Sequence, residues 1–281
     1  MMPLDPTVIV TLAERGWQDA KRHRWFLVFA GIFAGLALML SAAGFWGAGI
    51  GGLAGFGRTG VSLTNLVLFV IPLMGLLLGV LALVNEREQG TLWTLLAQPL
   101  TPAELLLGKW LGLAEAITVA VLLGFGISGL VIAFFATTEQ LFGYLHLLVL
   151  TLLLGWANLS VGMLISTLSS RSSVAVSIAL LLWLVSVWLA DLGLMGVGIA
   201  FRFSSPQLLW LSLLNPAQIF RLAALFALQG NLELLGAAGS YAAEVFGKWL
   251  LPFLWSLLTL WVFVPLLFAL WLFQRRWASG C

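Results

Sequence analysis

Charge, cysteine and histidine are scarce in this 281-residue chain. Only 9% of its residues are charged, against about 25% in a soluble domain. Hydrophobic residues make up 62% of it, and the mean hydropathy is +1.09. A globule could not hide that excess, because even a ~300-residue domain buries only about 75% of its unfolded surface. A soluble enzyme is therefore excluded. So is a disordered chain, which needs low hydrophobicity. The single cysteine, Cys281, excludes an intrachain disulfide and a thiolate metal cluster. The two histidines, His23 and His146, fall on opposite sides of the expected membrane. The six methionines are scattered rather than laddered, so no metal site is expected. The net charge of +2 is not gathered into a basic patch, which gives no reason to expect nucleic acid. No G-x-x-x-x-G-K-[ST] phosphate loop occurs. If ATP drives this protein, a separate polypeptide must hydrolyse it.

What is abundant is long apolar runs. A bilayer core of about 30 Å takes roughly 20 residues of helix. Six runs qualify: 25–46, 63–84, 110–135, 142–168, 174–199 and 249–273. The expected fold is all-α, a polytopic membrane protein with six transmembrane helices in a single domain over residues 1–281. The first run follows a charged N-terminal stretch and lacks an A-x-A site, so it reads as a retained span. With six spans both termini share a side. That side carries nine of the thirteen Lys and Arg residues and the other side four. The positive-inside rule then places both termini in the cytoplasm of a bacterial inner membrane. Residues 7–24 have an amphipathic pattern (Ile9, Leu12, Ala13, Trp17, Ala20) and predict an interfacial helix. The Gly-rich stretch 44–60 predicts a flexible outer loop. Residues 201–248, broken by Asn215-Pro216 and Arg221, predict an outer segment with 207–214 interfacial or partly re-entrant.

The inner loop 85–109 is the most informative stretch. Asn85 with Glu88 has the spacing of a capping box, and Glu86 adds a second acid to the same turn. A short helix with an apolar stripe of Leu92, Leu95 and Leu96 would follow and end before Pro99. Thr101 with Glu104 is a second box, with Pro102 at the first helical position. Two short helices at an angle would thus join two spans. They form either an ordinary connector or a lever that a cytoplasmic partner grips.

The run Asn85-Glu86-Arg87-Glu88, Gly90-Thr91-Leu92, Leu95-Leu96, Pro99 and Gly108-Lys109 resembles the signature of ABC-type exporter permeases of the ABC-2-like class. The resemblance implies that this loop docks on a nucleotide-binding subunit. Thr101-Pro102 departs from the pattern, since many relatives carry a basic residue after the proline. Residues 213–222, with Gly124-Phe125-Gly126, Leu154-Gly155-Trp156 and Ser169–Ser173, are similar to the permeases of complexes that mature nitrous oxide reductase. That likeness implies a homodimer of this chain with two cytoplasmic ATPase subunits, which hold the ATP and its magnesium. It also implies a periplasmic maturation protein and an output in the reductase's copper-sulfur centre. A generic exporter of a lipid, glycan or drug and a non-transporting relay are the rival outcomes.

Asn215 and Pro216 suit a helix start, with Ile219, Leu222, Ala223 and Phe226 on one face. That helix either lies on the outer leaflet or forms a docking platform, with Asn215, Pro216, Phe220 and Arg221 facing the periplasmic partner. Polar residues at membrane depth are functional suspects. Glu115 and Asp191 are expected near the two interfaces, and Asn158 can bond across helices. Gly126-Ile127-Ser128-Gly129 matches an intramembrane-protease motif, but a serine nucleophile needs a histidine in reach and none is expected there.

Overall fold

The computed structural model describes residues 5–22, 24–47, 52–92, 100–133, 138–189, 204–229, 241–242 and 244–278. All the regular structure described is helical: α1 Pro6–Arg22, α2 Arg24–Gly47, α3 Gly52–Glu88, α4 Pro102–Ala133, α5 Thr138–Leu168, α6 Ser172–Leu184, α7 Ser205–Ser212, α8 Pro216–Gln229 and α9 Leu250–Ala278. A π-helical turn, Val185–Leu189, extends α6. Five helices are long and apolar enough to cross a bilayer: Phe26–Ala43, Thr59–Glu88, Pro102–Leu130, Gln140–Leu168 and Glu244–Arg275. They match five of the six expected runs. The remaining run is described only through Leu189, and Asp191 lies outside the described residues.

The stretch 44–60 differs from its expectation. α2 continues to Gly47 and α3 starts at Gly52, so helix occupies most of the expected loop. Glycine weakens a helix by only about 1 kcal/mol, and no proline stands there to stop one. At Gly60 the small residue has a use, because a Cβ there would lie 2.9 Å from Leu228 of α8.

The centre of the bundle is the crossing of α3 and α5. A Cβ on Gly75 would lie 2.7 Å from the Gly155 carbonyl oxygen, and one on Gly162 would lie 2.6 Å from that of Leu76. Gly75 and Gly79 form a small-xxx-small step, which lets two backbones approach where lipid supplies no hydrophobic drive. Asn158 faces this seam. It is buried, and its amide donates to the Leu154 carbonyl in its own helix at 2.9 Å. The glycine seam presents only backbone, and the helix already uses that backbone. Ser128 is fully buried and bonds to Tyr144 Oη at 2.9 Å; His146 Nδ1 pairs with the Phe142 carbonyl. No serine–histidine couple forms among the described residues.

α1 is not an isolated raft. It packs along the first turns of α4 through Gly16, Gly108 and Gly112, where any added Cβ on Gly108 or Gly112 would strike Leu12 or Ala13. Asp5 caps α1. Its carboxylate accepts from the Thr7 amide at 3.0 Å and from the Thr7 hydroxyl at 2.7 Å, with Pro6 first in the helix.

α7 and α8 are bent by 111° at Leu213–Asn215. The bend is that of a broken span or of a re-entrant pair. α8 does not lie on a leaflet. Ile219, Phe220 and Ala223 are fully buried, and Gly143 of α5 meets Ala227 closely.

Candidate functional site

The loop expected to carry the function begins where α3 ends. Asn85 does not cap a new helix there. α3 runs through it, and the Gln89 amide donates to the Asn85 carbonyl at 3.0 Å. Nothing from Val84 to Glu88 breaks a helix. The break comes at Gly90, whose φ of +72° is the left-handed conformation that glycine adopts at little cost. Thr91 and Leu92 follow, with Leu92 buried. Leu95, Leu96 and Pro99 lie outside the described residues.

Freed from capping, the last turn of α3 ties three other elements together. Glu86 pairs with Lys109 of α4 at 2.5 Å, and Lys109 also donates to the Ala82 carbonyl at 2.8 Å. Arg87 Nη1 donates to the Ser169 carbonyl at 2.5 Å. Asn85 Oδ1 accepts from Ser172 Oγ at 3.0 Å. Glu88 accepts the Ser172 amide at 2.8 Å and also its hydroxyl. Glu88 thereby puts a carboxylate at the start of α6, where the exposed amides and the helix dipole favour negative charge. Four consecutive residues thus hold α3 to α4 and to the α5–α6 loop.

One turn above, Ser166 of α5 enters the hydrogen-bond ladder of α3. Its hydroxyl donates to the Val80 carbonyl at 2.6 Å and accepts from the Leu83 and Val84 amides at 3.2 and 3.1 Å. A side chain inserted this way is a recognised cause of helix bending. These bonds fasten α3 to α5 one turn from the hub.

The second arm matches its expected cap. The Thr101 amide donates to Glu104 Oε2 at 2.8 Å, and the Glu104 amide donates to Thr101 Oγ1 at 3.2 Å. Pro102 opens the helix. Glu104 Oε1 also accepts the Asp5 amide at 2.8 Å, which pins the start of α1 to this arm. Residue spacing could not reveal a bond across 99 positions. The cap signal Asp5-Pro6 and the small-residue step Gly108-x-x-x-Gly112 were there to be read.

At the other end, Asn215 Oδ1 accepts the Ala217 amide at 3.0 Å, so it does cap α8. Its amide also donates to the Ser186 carbonyl at 2.7 Å and holds the hairpin to the π-helical turn. Arg221 lines a cavity of about 240 Å³ with Asn65, Phe69 and Trp188. Phe220, expected at a docking surface, is fully buried and cannot touch an outer partner. Glu115 is exposed on α4 between Leu111 and Leu122, about 20 Å along the helix from Pro102. Among the described residues no three His, Cys, Asp or Glu side chains gather as metal ligands.

The model of the family described as ABC-2 family transporter protein matches residues 10–277 of the chain. A protein named Probable ABC transporter permease protein NosY, from Stutzerimonas stutzeri, is 34% identical over 275 residues, covering 94% of this chain and 97% of that one. The protein of the same name from Pseudomonas aeruginosa is 36% identical over 279 residues, covering 96% and 98%.

Proposed function

The chain belongs to the ABC-2 family of transporter proteins and is a multi-pass permease of the bacterial inner membrane; from that premise we propose that it works as a homodimer driven by two cytoplasmic ATPase subunits that grip residues 85–109. Both termini lie in the cytoplasm, and ATP and magnesium reside on the ATPases. The observation that supports this reading is the hub. Asn85, Glu86, Arg87 and Glu88 bind α4 and the α5–α6 loop at once, so force on this turn reaches four helices together. Glu88, Gln89, Gly90 and Thr91 are the exposed face that a partner could reach. ATP acts because the ATPase pair binds two arrangements of the arm unequally.

The output we propose is maturation of the copper-sulfur centre of periplasmic nitrous oxide reductase. It would proceed by export of a sulfur species or by motion passed to a periplasmic partner. Its support is the likeness to the NosY proteins over nearly the whole length of each chain. Asn215, Pro216 and Arg221, at the hairpin bend and beside the outer cavity, are the residues of this reading nearest the partner.

Cysteine cross-linking tests the ATPase contact. Gln89→Cys in a Cys281→Ser background should trap the ATPase subunit in native membranes. Absence of any adduct, or labelling of the cysteine only from the periplasm, would overturn the reading. For the output, a strain lacking this chain should make reductase protein without its copper-sulfur centre. Fully metallated reductase in that strain would favour a generic exporter instead.

A further inference from the structure

Between α1, α2, α3 and α4, beside the hub, lies a cavity of about 640 Å³. Its lining is divided. Arg15, Asp19 and Arg22 of α1 stand along one edge, spaced four and three residues apart and so on one helix face. Phe29, Leu77 and Leu81 form half-buried apolar walls deeper in. The Lys109–Glu86 pair also borders the space but is neutral as a pair. Counting Arg15 and Arg22 against Asp19, the remaining edge has one net positive charge. Among the described residues neither arginine forms an ion pair.

An apolar slot under a cationic edge, at the end of a helix bundle, matches one chemistry. The ligand has a single net negative charge on its head and hydrocarbon behind it. A volume of this order takes a small-molecule group, for which pockets run about 300–1,000 Å³, and is too small for a folded segment. We propose that this cavity binds an anionic glycerophospholipid of the leaflet that surrounds it. Its phosphodiester lies between Arg15 and Arg22 and the upper part of an acyl chain lies along Phe29, Leu77 and Leu81. Basic pockets between spans on the cytoplasmic side hold anionic headgroups in this way. Asp19 leaves the edge with one net positive charge, which a head with a single negative charge neutralises. The site touches the hub through Lys109 and Glu86, so the lipid would bear on the same turn of α3. The proposal stands whether or not ATPases grip that turn.

Native mass spectrometry of the full-length protein in mild detergent tests the proposal, with added phosphatidylglycerol, phosphatidylcholine or inorganic phosphate. Phosphatidylglycerol should be retained in preference to phosphatidylcholine, and phosphate alone should not be retained. Each basic residue near an anionic lipid is worth about fivefold in affinity, so Arg15→Gln with Arg22→Gln should lose about twenty-five-fold. Leu81→Trp, which fills the slot and keeps the charges, should also lose the lipid. Arg24→Gln, an exposed cation at the same end that does not line the cavity, should retain it. Equal retention of phosphatidylcholine would overturn the proposal. So would binding of phosphate alone, or undiminished phosphatidylglycerol binding by both the double arginine variant and Leu81→Trp.

Discussion

Glu86→Gln removes the charge opposite Lys109 and leaves the shape of the site nearly unchanged. Lys109 would keep one acceptor, the Ala82 carbonyl, and lose its ion-pair partner, with the weaker pull of Asp19 left. The two side chains are 14% and 21% exposed. Breaking a fully buried pair from one side costs about 3–5 kcal/mol. An exposed pair contributes about 0.2–1 kcal/mol. The geometry here lies nearer the first limit, so the expected loss is about 2–3 kcal/mol. A reversible unfolding titration of the purified protein in mixed micelles would read it. Lys109→Met should cost a similar amount, because the Glu86 oxygen that faces Lys109 is buried and accepts no hydrogen bond among the described residues. The double variant should recover part of the loss, with a coupling of about 1–2 kcal/mol, since the two groups touch. A loss below about 0.5 kcal/mol for Glu86→Gln, with strictly additive single effects, would refute the claim that this pair joins α3 to α4.

Glu104→Ala removes the acceptor of both the Thr101 and Asp5 amides. It should cost about 1–2 kcal/mol and speed hydrogen exchange along α1; unchanged protection of α1 would contradict the link. Phe220→Ala should destabilise the fold by about 3–5 kcal/mol, as a fully buried ring does. A neutral effect on stability with loss of an outer partner would restore Phe220 as a docking residue. The Thr7 hydroxyl, and then its amide, hold the Asp5 carboxyl below its ordinary range. A lowered folded-state pKa means that this contribution is present above the ordinary range and is lost as pH falls through the folded value. The first turn of α1 should therefore loosen in acid, seen as faster exchange of the Thr7 amide, and Asp5→Asn should abolish the pH dependence.

The spans were legible because hydrocarbon imposes length and apolarity on every crossing segment, and five of the expected runs are helices of the right extent. The Thr101–Glu104 and Asn215 caps were legible because capping acts over three residues. Asn85 was misread for the same reason. Its spacing to Glu88 is that of a capping box, but a helix already under way passes through such a pair and stops at the first residue that favours positive φ, here Gly90. Long-range bonds left no local trace. Ser172, Ser169 and Asp5 become partners of the loop only when the helices pack. α8 was misjudged because its apolar face looks like that of a surface helix, whereas Gly60 and Gly143 make room for it inside the bundle.

The central claim is that nucleotide bound to separate ATPases moves the turn Asn85–Glu88 and the helices fastened to it. Spin labels on Gln89→Cys in both protomers of the reconstituted complex, with Cys281→Ser, would follow that turn directly. The account predicts that the distance between the two labels shortens when a non-hydrolysable ATP analogue binds. It also predicts that the shift shrinks when Glu88→Ala and Arg87→Ala cut the ties to the α5–α6 loop. One unchanged distance with and without nucleotide, in a complex whose ATPases are shown to be occupied, would contradict it.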